Sequence, residues 1–169
     1  MKRLFIATAM LVVLLLANGC GSDEAANVSE NLTGSSETSG QKISWSELKD
    51  QIDPYKSKYE ELRKKISKIV DESQASQQPP DAESIAALKQ QCRDVWSNQI
   101  EPLISTARSF DRLVPDLQTA FTKLENSLTI FESDDRDLKN KILAANQELE
   151  MADDFYYKKF LDQYNKLNK

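Results

Sequence analysis

The amino-acid sequence predicts an all-α fold over residues 44–169: an antiparallel helical bundle of three long helices plus one shorter helix, with coiled-coil-like seams. Three observations lead to this prediction. Apolar residues recur at alternating steps of three and four, which is the spacing of one face of a helix. No Gly follows Gly40, and no stretch shows the apolar–polar alternation of a half-buried strand. The interruptions are short, and short connections make neighbouring helices antiparallel.

The first helix is predicted to begin after Ser44. Ser44 and Glu47 have the spacing of a capping box, in which each side chain accepts a hydrogen bond from the other residue's backbone N–H. The apolar residues that follow form a narrow seam: Trp45, Leu48, Ile52, Tyr55, Tyr59, Leu62, Ile66 and Ile69. Pro54 lies within this seam, so either one helix is kinked there or a new helix begins after an Asp53 cap. We favour the kinked helix, because the seam keeps its register across Pro54.

A turn predicted over residues 71–80 leads to Asp81, which is expected to cap the second helix. That helix is predicted to run to Val114, with a kink at Pro102. Its apolar positions have near-helical spacing: Ile85, Leu88, Cys92, Val95, Trp96, Ile100, Leu103, Ala107, Phe110 and Val114. A third helix is predicted to begin with Pro115 at or near its first position. Its seam is Leu117, Phe121, Leu124, Leu128 and Phe131.

The last helix is predicted to follow Ser133, Asp134 and Asp135, which end the third helix and cap the next. Its seam continues for roughly 34 residues, or about 50 Å. The seam residues are Leu138, Ile142, Ala145, Leu149, Ala152, Tyr156, Phe160, Tyr164 and Leu167. Asp134, Asp135 and Asp137 lie where carboxylates interact favourably with the helix dipole. A calcium site is the alternative, but the spacing lacks the Gly and the distal Glu of an EF-hand loop.

Aromatic residues concentrate near the end of this helix. Those on the seam are predicted to be core residues: Tyr156, Phe160 and Tyr164. Phe155 and Tyr157 point away from that seam and form a candidate partner surface. They mark either a further contact within the bundle or an exposed site for another protein. Asp153 and Asp154, just before them, are expected to form a solvated face.

The residue types that are missing exclude several functions. The chain contains no His, which excludes Ser-His-Asp and Cys-His catalysis and His-ligated zinc or haem. No spacing points to catalysis by the remaining Asp, Glu, Lys, Ser or Tyr side chains. Cys92 lies on the apolar side of the second helix and is expected to be buried. We therefore expect no enzymatic activity, no cofactor and no metal site.

The first twenty residues have the three parts of a secretory signal peptide: a basic start, an apolar run over 4–17, and small residues at the end. The apolar run spans roughly 21 Å as a helix, which is short of the ~30 Å core of a bilayer, so a transmembrane helix fits less well. Residues 16–20, with the sequence LANGC, resemble the lipobox of bacterial lipoproteins. The resemblance implies that residues 1–19 are removed and that Cys20 is lipidated. The alternative is an ordinary cleaved signal with a Cys nearby by chance.

A lipidated Cys20 implies a cell-envelope protein, anchored by lipid on the outside of the cytoplasmic membrane. Gly21, where Asp would favour the inner membrane, favours the outer membrane if the cell has one. Residues 20–43 are rich in Ser, Gly, Thr, Asn and Glu, and are predicted to be the lipidated Cys and a flexible linker before the bundle. Loss of Lys2 and Arg3 with the signal takes the net charge from −5 to −7. Such an acidic chain is a poor partner for nucleic acid.

These observations favour one function hypothesis and keep another open. The first is a membrane-anchored, non-enzymatic lipoprotein that acts as a protein-interaction or structural module, with another envelope protein or a second copy as its partner. The alternative is a helical bundle that binds a small ligand or ion in its core through Tyr and carboxylate groups.

Overall fold

A computed structural model describes residues 43–133 and 135–169, and the chain is helical through most of them. Its α-helices are α1 (Trp45–Ser76), α2 (Ala82–Val95), α3 (Glu101–Thr106), α4 (Leu113–Thr129), α5 (Leu138–Asp153) and α6 (Leu161–Leu167). Two π-helical segments, Trp96–Ile100 and Asp154–Phe160, join α2 to α3 and α5 to α6. The four resulting rods are α1, a second rod over 82–106, α4, and a C-terminal arm over 138–167. These residues contain no strand, so the predicted all-α bundle is confirmed.

Contacts between the rods show that neighbours run antiparallel. Arg93 of α2 pairs with Glu125 of α4. Lys89, one turn earlier on α2, pairs with Glu132 just after α4, so the two helices run in opposite directions. Gln163, near the end of the C-terminal arm, donates a hydrogen bond of 3.0 Å to Asp116 at the start of α4. Tyr164 donates to Asp53 near the start of α1. The coiled-coil character of the seams stays a prediction.

The start of α1 agrees with the sequence prediction, but its end does not. The Ser44–Glu47 capping box is present, with Ser44 N–H donating to Glu47 Oε2 at 2.9 Å and Glu47 N–H to Ser44 Oγ at 3.3 Å. The helix is continuous through Pro54, as we favoured. It then extends to Ser76, so the predicted turn over 71–80 was wrong for its first six residues. The helix continues because Val70 and Ser73 are buried, and it ends at Gln77, whose φ of 55° is left-handed.

The second rod is shorter than predicted. Asp81 caps it as expected, accepting from the backbone N–H of Ser84 at 2.8 Å. The prediction that it runs to Val114 was wrong, because the helix ends at Thr106 and the chain then reverses at Asp111, whose φ is 48°. Val114 instead belongs to the first turn of α4.

The two prolines near this reversal have different surroundings. Pro115 is the third residue of α4, where its missing N–H leaves no helical bond unmade, as the prediction requires. Pro102 follows the π-helical segment, in which the N–H of Glu101 bonds to the carbonyl of Trp96, five residues back. The helix is therefore irregular in the turn before Pro102, whereas the kink was predicted at Pro102 itself.

The cap of the C-terminal arm differs from the prediction. Asp137 is the capping residue, and it accepts a hydrogen bond of 2.8 Å from the backbone N–H of Asn140. The expectation that residues 133–135 cap this helix was wrong. Ser133 instead closes a 3-10 turn after α4, where its hydroxyl donates to the carbonyl of Ile130 at 3.0 Å. Asp134 lies outside the described residues.

The core is built from the predicted seams. Its fully buried side chains include Leu48, Ile52, Tyr59, Leu62, Ile66, Cys92, Ile100, Leu117, Phe121, Leu124, Leu128, Ala145 and Phe160. Burial of each large apolar side chain stabilises the fold by about 1.5–3 kcal/mol before entropy is counted. Trp45 and Trp96 are partly buried against this core. Leu167, predicted to be on the seam, is 40% exposed.

Candidate functional site

α1 is joined to the C-terminal arm by a buried tyrosine, an arginine and a carboxylate. The hydroxyl of Tyr59 donates to Asp153 Oδ1 at 3.0 Å. Arg63, one turn later on α1, donates from two nitrogens to the two oxygens of Asp153, each at 2.9 Å. Such bidentate pairs are among the stronger charged contacts in proteins. The expectation that Asp153 belongs to a solvated face was therefore wrong.

Tyr59 acts in this cluster as a hydrogen-bond donor. Burial, together with the neighbouring charge of Asp153, raises the pKa of Tyr59 far above its ordinary value. The hydroxyl therefore keeps its proton at any physiological pH. Its ring stacks on that of Tyr156, with centroids 3.8 Å apart, and meets Phe121 edge-on at 5.7 Å.

Tyr157 lies beside this cluster and is half exposed. Its hydroxyl donates to the carboxylate of Glu60, whose two oxygens are 2.7 Å and 2.8 Å away. Its ring meets Tyr156 edge-on at 4.9 Å. Burial and the Glu60 carboxylate raise the pKa of Tyr157 to about 12.

The π-helical segment Asp154–Phe160 presents these aromatic residues. A π turn contains more residues than an α turn, so it changes the direction in which the following side chains point. Tyr156 is buried within the segment, whereas the next residue, Tyr157, is 45% exposed. Short π segments inside α-helices often occur at functional sites, which makes this part of the C-terminal arm the leading candidate.

An open groove of about 770 Å³ runs along the C-terminal arm at this point. We call it the arm groove, and its lining residues are Gln147, Glu150, Met151, Asp153, Asp154, Tyr157 and Lys158. Met151 and Tyr157 supply its apolar surface, with Met151 38% exposed. Leu143, two turns before Met151 on the same face of α5, is 58% exposed.

The charges of the arm groove are mostly negative. Asp154 pairs with Lys158, and Asp153 pairs with Arg63 of α1. The carboxylate of Glu150 is exposed and, among the described residues, makes no hydrogen bond or ion pair. The arm groove therefore combines exposed apolar side chains with one carboxylate that no cation within the described chain neutralises.

Phe155 and Tyr157, predicted together as a candidate partner surface, have different surroundings. Phe155 is partly buried against the core, and the Lys159 ammonium lies 3.5 Å from the centre of its ring. This is the further contact within the bundle that the sequence left open. Of these two residues, only Tyr157 lines the arm groove. Its role in partner binding stays a prediction.

Glu125 belongs to a second buried polar cluster, which has a structural role. Glu125 is 7% exposed and accepts from two nitrogens of Arg93 and from the indole N–H of Trp96, the latter at 2.6 Å. These contacts satisfy a carboxylate inside the bundle and fix α2 to α4. Cys92 is buried one turn before Trp96, as predicted, and burial raises the pKa of its thiol to about 12.

The acidic residues near the start of the C-terminal arm are used locally. Asp137 caps the helix, and Asp135 lies 3.9 Å from Arg136. Within residues 43–133 and 135–169, no cluster of three acidic or Cys side chains that could hold a metal ion is found.

The partners at the arm groove could be only partly foreseen. Tyr59 and Arg63 are four residues apart and so share a face of α1, and this spacing indicates from the sequence that their side chains lie together. Asp153 is 90 residues away from Arg63, and nothing in the sequence pairs them. Glu60 lies off the apolar seam of α1, and its contact with Tyr157 depends on the π-helical segment.

Comparisons with protein-family models, curated proteins and solved structures find no match to this chain. Each helix in the part of the chain that the structure describes is too short or too polar to cross a membrane.

Proposed function

We propose that this chain is a lipid-anchored bacterial envelope protein with a non-enzymatic role, and that it binds another protein through its C-terminal arm. The anchor rests on the resemblance of residues 16–20 to a lipobox. Residues 1–42, with Cys20 and the linker, lie outside the described residues. The binding role rests on the arm groove.

The single observation that carries the binding role is the exposure of Met151 and Tyr157, which both line the arm groove. Exposed apolar side chains are common singly, but a group of them in a concavity with polar edges is typical of protein contact sites. Tyr and Met are both enriched at such sites. Leu143 extends this surface along α5.

The alternative, a bundle that binds a ligand in its core, has less support. Such a site would need inward Tyr or carboxylate groups that are free to bind. The three buried tyrosines of the described residues already donate within the protein: Tyr59 to Asp153, Tyr156 to the carbonyl of Lys56, and Tyr164 to Asp53. A ligand would have to displace these bonds.

In-cell photo-crosslinking of the full chain tests the proposal. A photoreactive residue replaces Tyr157, and in a matched strain it replaces Glu83, an exposed residue of α2. We expect a discrete crosslinked product from position 157 that position 83 does not give, followed by mass spectrometry of that product. Equal crosslinking from both positions, or none from 157, would contradict a contact surface on the C-terminal arm.

A further inference from the structure

We infer that the arm groove binds a basic amphipathic helix, in which Lys or Arg residues flank an apolar side chain. This inference rests on the proposed function, because it names the chemistry of the partner at the same surface. The occupant is a segment of another protein, and three features of the arm groove point to its character.

The first feature is charge. Glu150, Asp153 and Asp154 line the arm groove. Asp154 is paired with Lys158, and Asp153 is paired with Arg63 of α1. Glu150 has no ion pair among the described residues, and Glu60 adds a further carboxylate where it meets Tyr157. Charges of one sign at the edge of a contact surface favour a partner of the opposite sign and speed its association. A basic segment is the complement.

The second feature is the apolar strip between these charges. Its members are Leu143 and Met151, eight residues apart on α5, and Tyr157 in the π-helical segment. A partner helix that lies along the arm can place an apolar side chain against each of them, because its own apolar residues recur every three or four positions. Met151 is flexible and polarizable, which suits a surface that adapts to the side chain it receives.

The third feature is the fixed position of the groove walls. Arg63 and Tyr59 hold Asp153, and Glu60 holds the hydroxyl of Tyr157. These contacts connect α1 to the C-terminal arm and reduce the freedom that binding would otherwise have to restrict. Glu150 is the carboxylate left for the partner.

The same charges argue against a second copy as the occupant. In a two-fold dimer formed groove to groove, the net negative charge of one arm groove would lie against the same net charge of the other copy. Like charges opposed at an interface are unfavourable. A different protein with a basic segment avoids this repulsion.

A peptide titration tests the inference on the full chain, purified from the cell in a non-ionic detergent. The probe is a fluorescent helical peptide of about 18 residues, long enough to form a helix on the surface, with Leu on one face and Lys on its flanks. The matched probe carries Glu in place of Lys. Glu150→Gln is compared with Glu83→Gln, which removes the same charge from α2.

We expect the Lys peptide to bind and the Glu peptide not to bind. Glu150→Gln should weaken binding roughly two- to fivefold relative to Glu83→Gln, the range for one exposed ion pair. Met151→Ala should weaken it further without changing its salt dependence.

Equal effects of Glu150→Gln and Glu83→Gln, or equal binding of both peptides, would overturn the inference. If crosslinking from position 157 still succeeds then, only the basic character of the partner is wrong; if both fail, the contact surface itself is lost. Self-association of the chain at the arm groove, measured by sedimentation, would also overturn it.

Discussion

Tyr59 is fully buried, yet its hydroxyl reaches a carboxylate that is partly open to solvent. The ring packs among Tyr156, Tyr157 and Phe121 and the hydroxyl is paired, so the residue contributes both to the core and to the contact between α1 and the C-terminal arm. Because Asp153 keeps its bidentate pair with Arg63, the hydroxyl can be removed without leaving the carboxylate unpaired.

Tyr59→Phe is therefore expected to lower the free energy of unfolding by about 1.5–3 kcal/mol at pH 7, the value of one hydrogen bond to a charged group. The folded-state pKa of Tyr59 is raised, so its contribution is complete below the ordinary pKa of 10.0 and falls as pH rises above it. The difference between wild type and Tyr59→Phe should shrink by about 1 kcal/mol between pH 10 and pH 11.

Denaturant unfolding followed by circular dichroism at pH 7, 10 and 11 measures this difference. Tyr55→Phe is the control at neutral pH, because Tyr55 is partly buried and its hydroxyl makes no hydrogen bond within the described residues. A constant difference between wild type and Tyr59→Phe across these pH values would show that the environment of Tyr59 does not hold its proton in the folded state.

At the scale of the elements, the helix ends are controlled by single capping side chains. Ser44, Asp81 and Asp137 each accept a hydrogen bond from a backbone N–H three residues later. The hydrogen bond from the Ser84 N–H lowers the pKa of Asp81, which is the expected result of stabilising its charged form.

Asp137→Ala is expected to lower the free energy of unfolding by about 1 kcal/mol through loss of this cap. Asp135→Ala should change it by less than about 0.5 kcal/mol, since Asp135 is exposed and caps no helix. Thermal unfolding of both variants distinguishes them. A larger effect at Asp135 would show that Asp135, within the segment that the sequence indicated, is the capping residue.

The sequence predicted the rods well and their ends less well, for a physical reason. The seams depend on periodicity, which survives over many residues, and most seam positions are buried. The ends depend on one or two local contacts. Asp135 and Asp137 are equally good capping residues by type, and only the backbone, extended at Asp137 with φ −68° and ψ 161°, selects between them. The π-helical segment that turns Tyr157 into the arm groove has no periodic signal of its own.

At the scale of the whole molecule, the proposed lipid anchor at Cys20 and the proposed binding surface at the arm groove lie in different parts of the chain. The bundle begins at Ser44, and the arm groove lies along 147–158. Residues 20–43, predicted to be a flexible linker, would let the bundle move some distance from the membrane. The contact surface would then be free to meet a partner in the envelope.

Cys20→Ser is expected to release the protein from membranes or to leave it unprocessed, because the acylated thiol is then absent. Fractionation of cells into membrane and soluble parts, with the mass of the chain measured in each, checks this. Ser22→Ala, two residues later, is the matched control and should leave both fractionation and mass as in the wild type. A Cys20→Ser chain that is processed normally and stays with the membrane would show that the lipobox interpretation is wrong.

The edge-on contact of Trp45 with Tyr164, at 5.5 Å, brings the start of α1 and the end of the C-terminal arm together. The first and last turns of the bundle thus share one pole, while the connection at 77–81 lies at the opposite pole. An affinity tag fused after Lys169 would emerge beside the start of α1. A label inserted at Gln77 or Gln78 would be carried at the far pole, away from the tag.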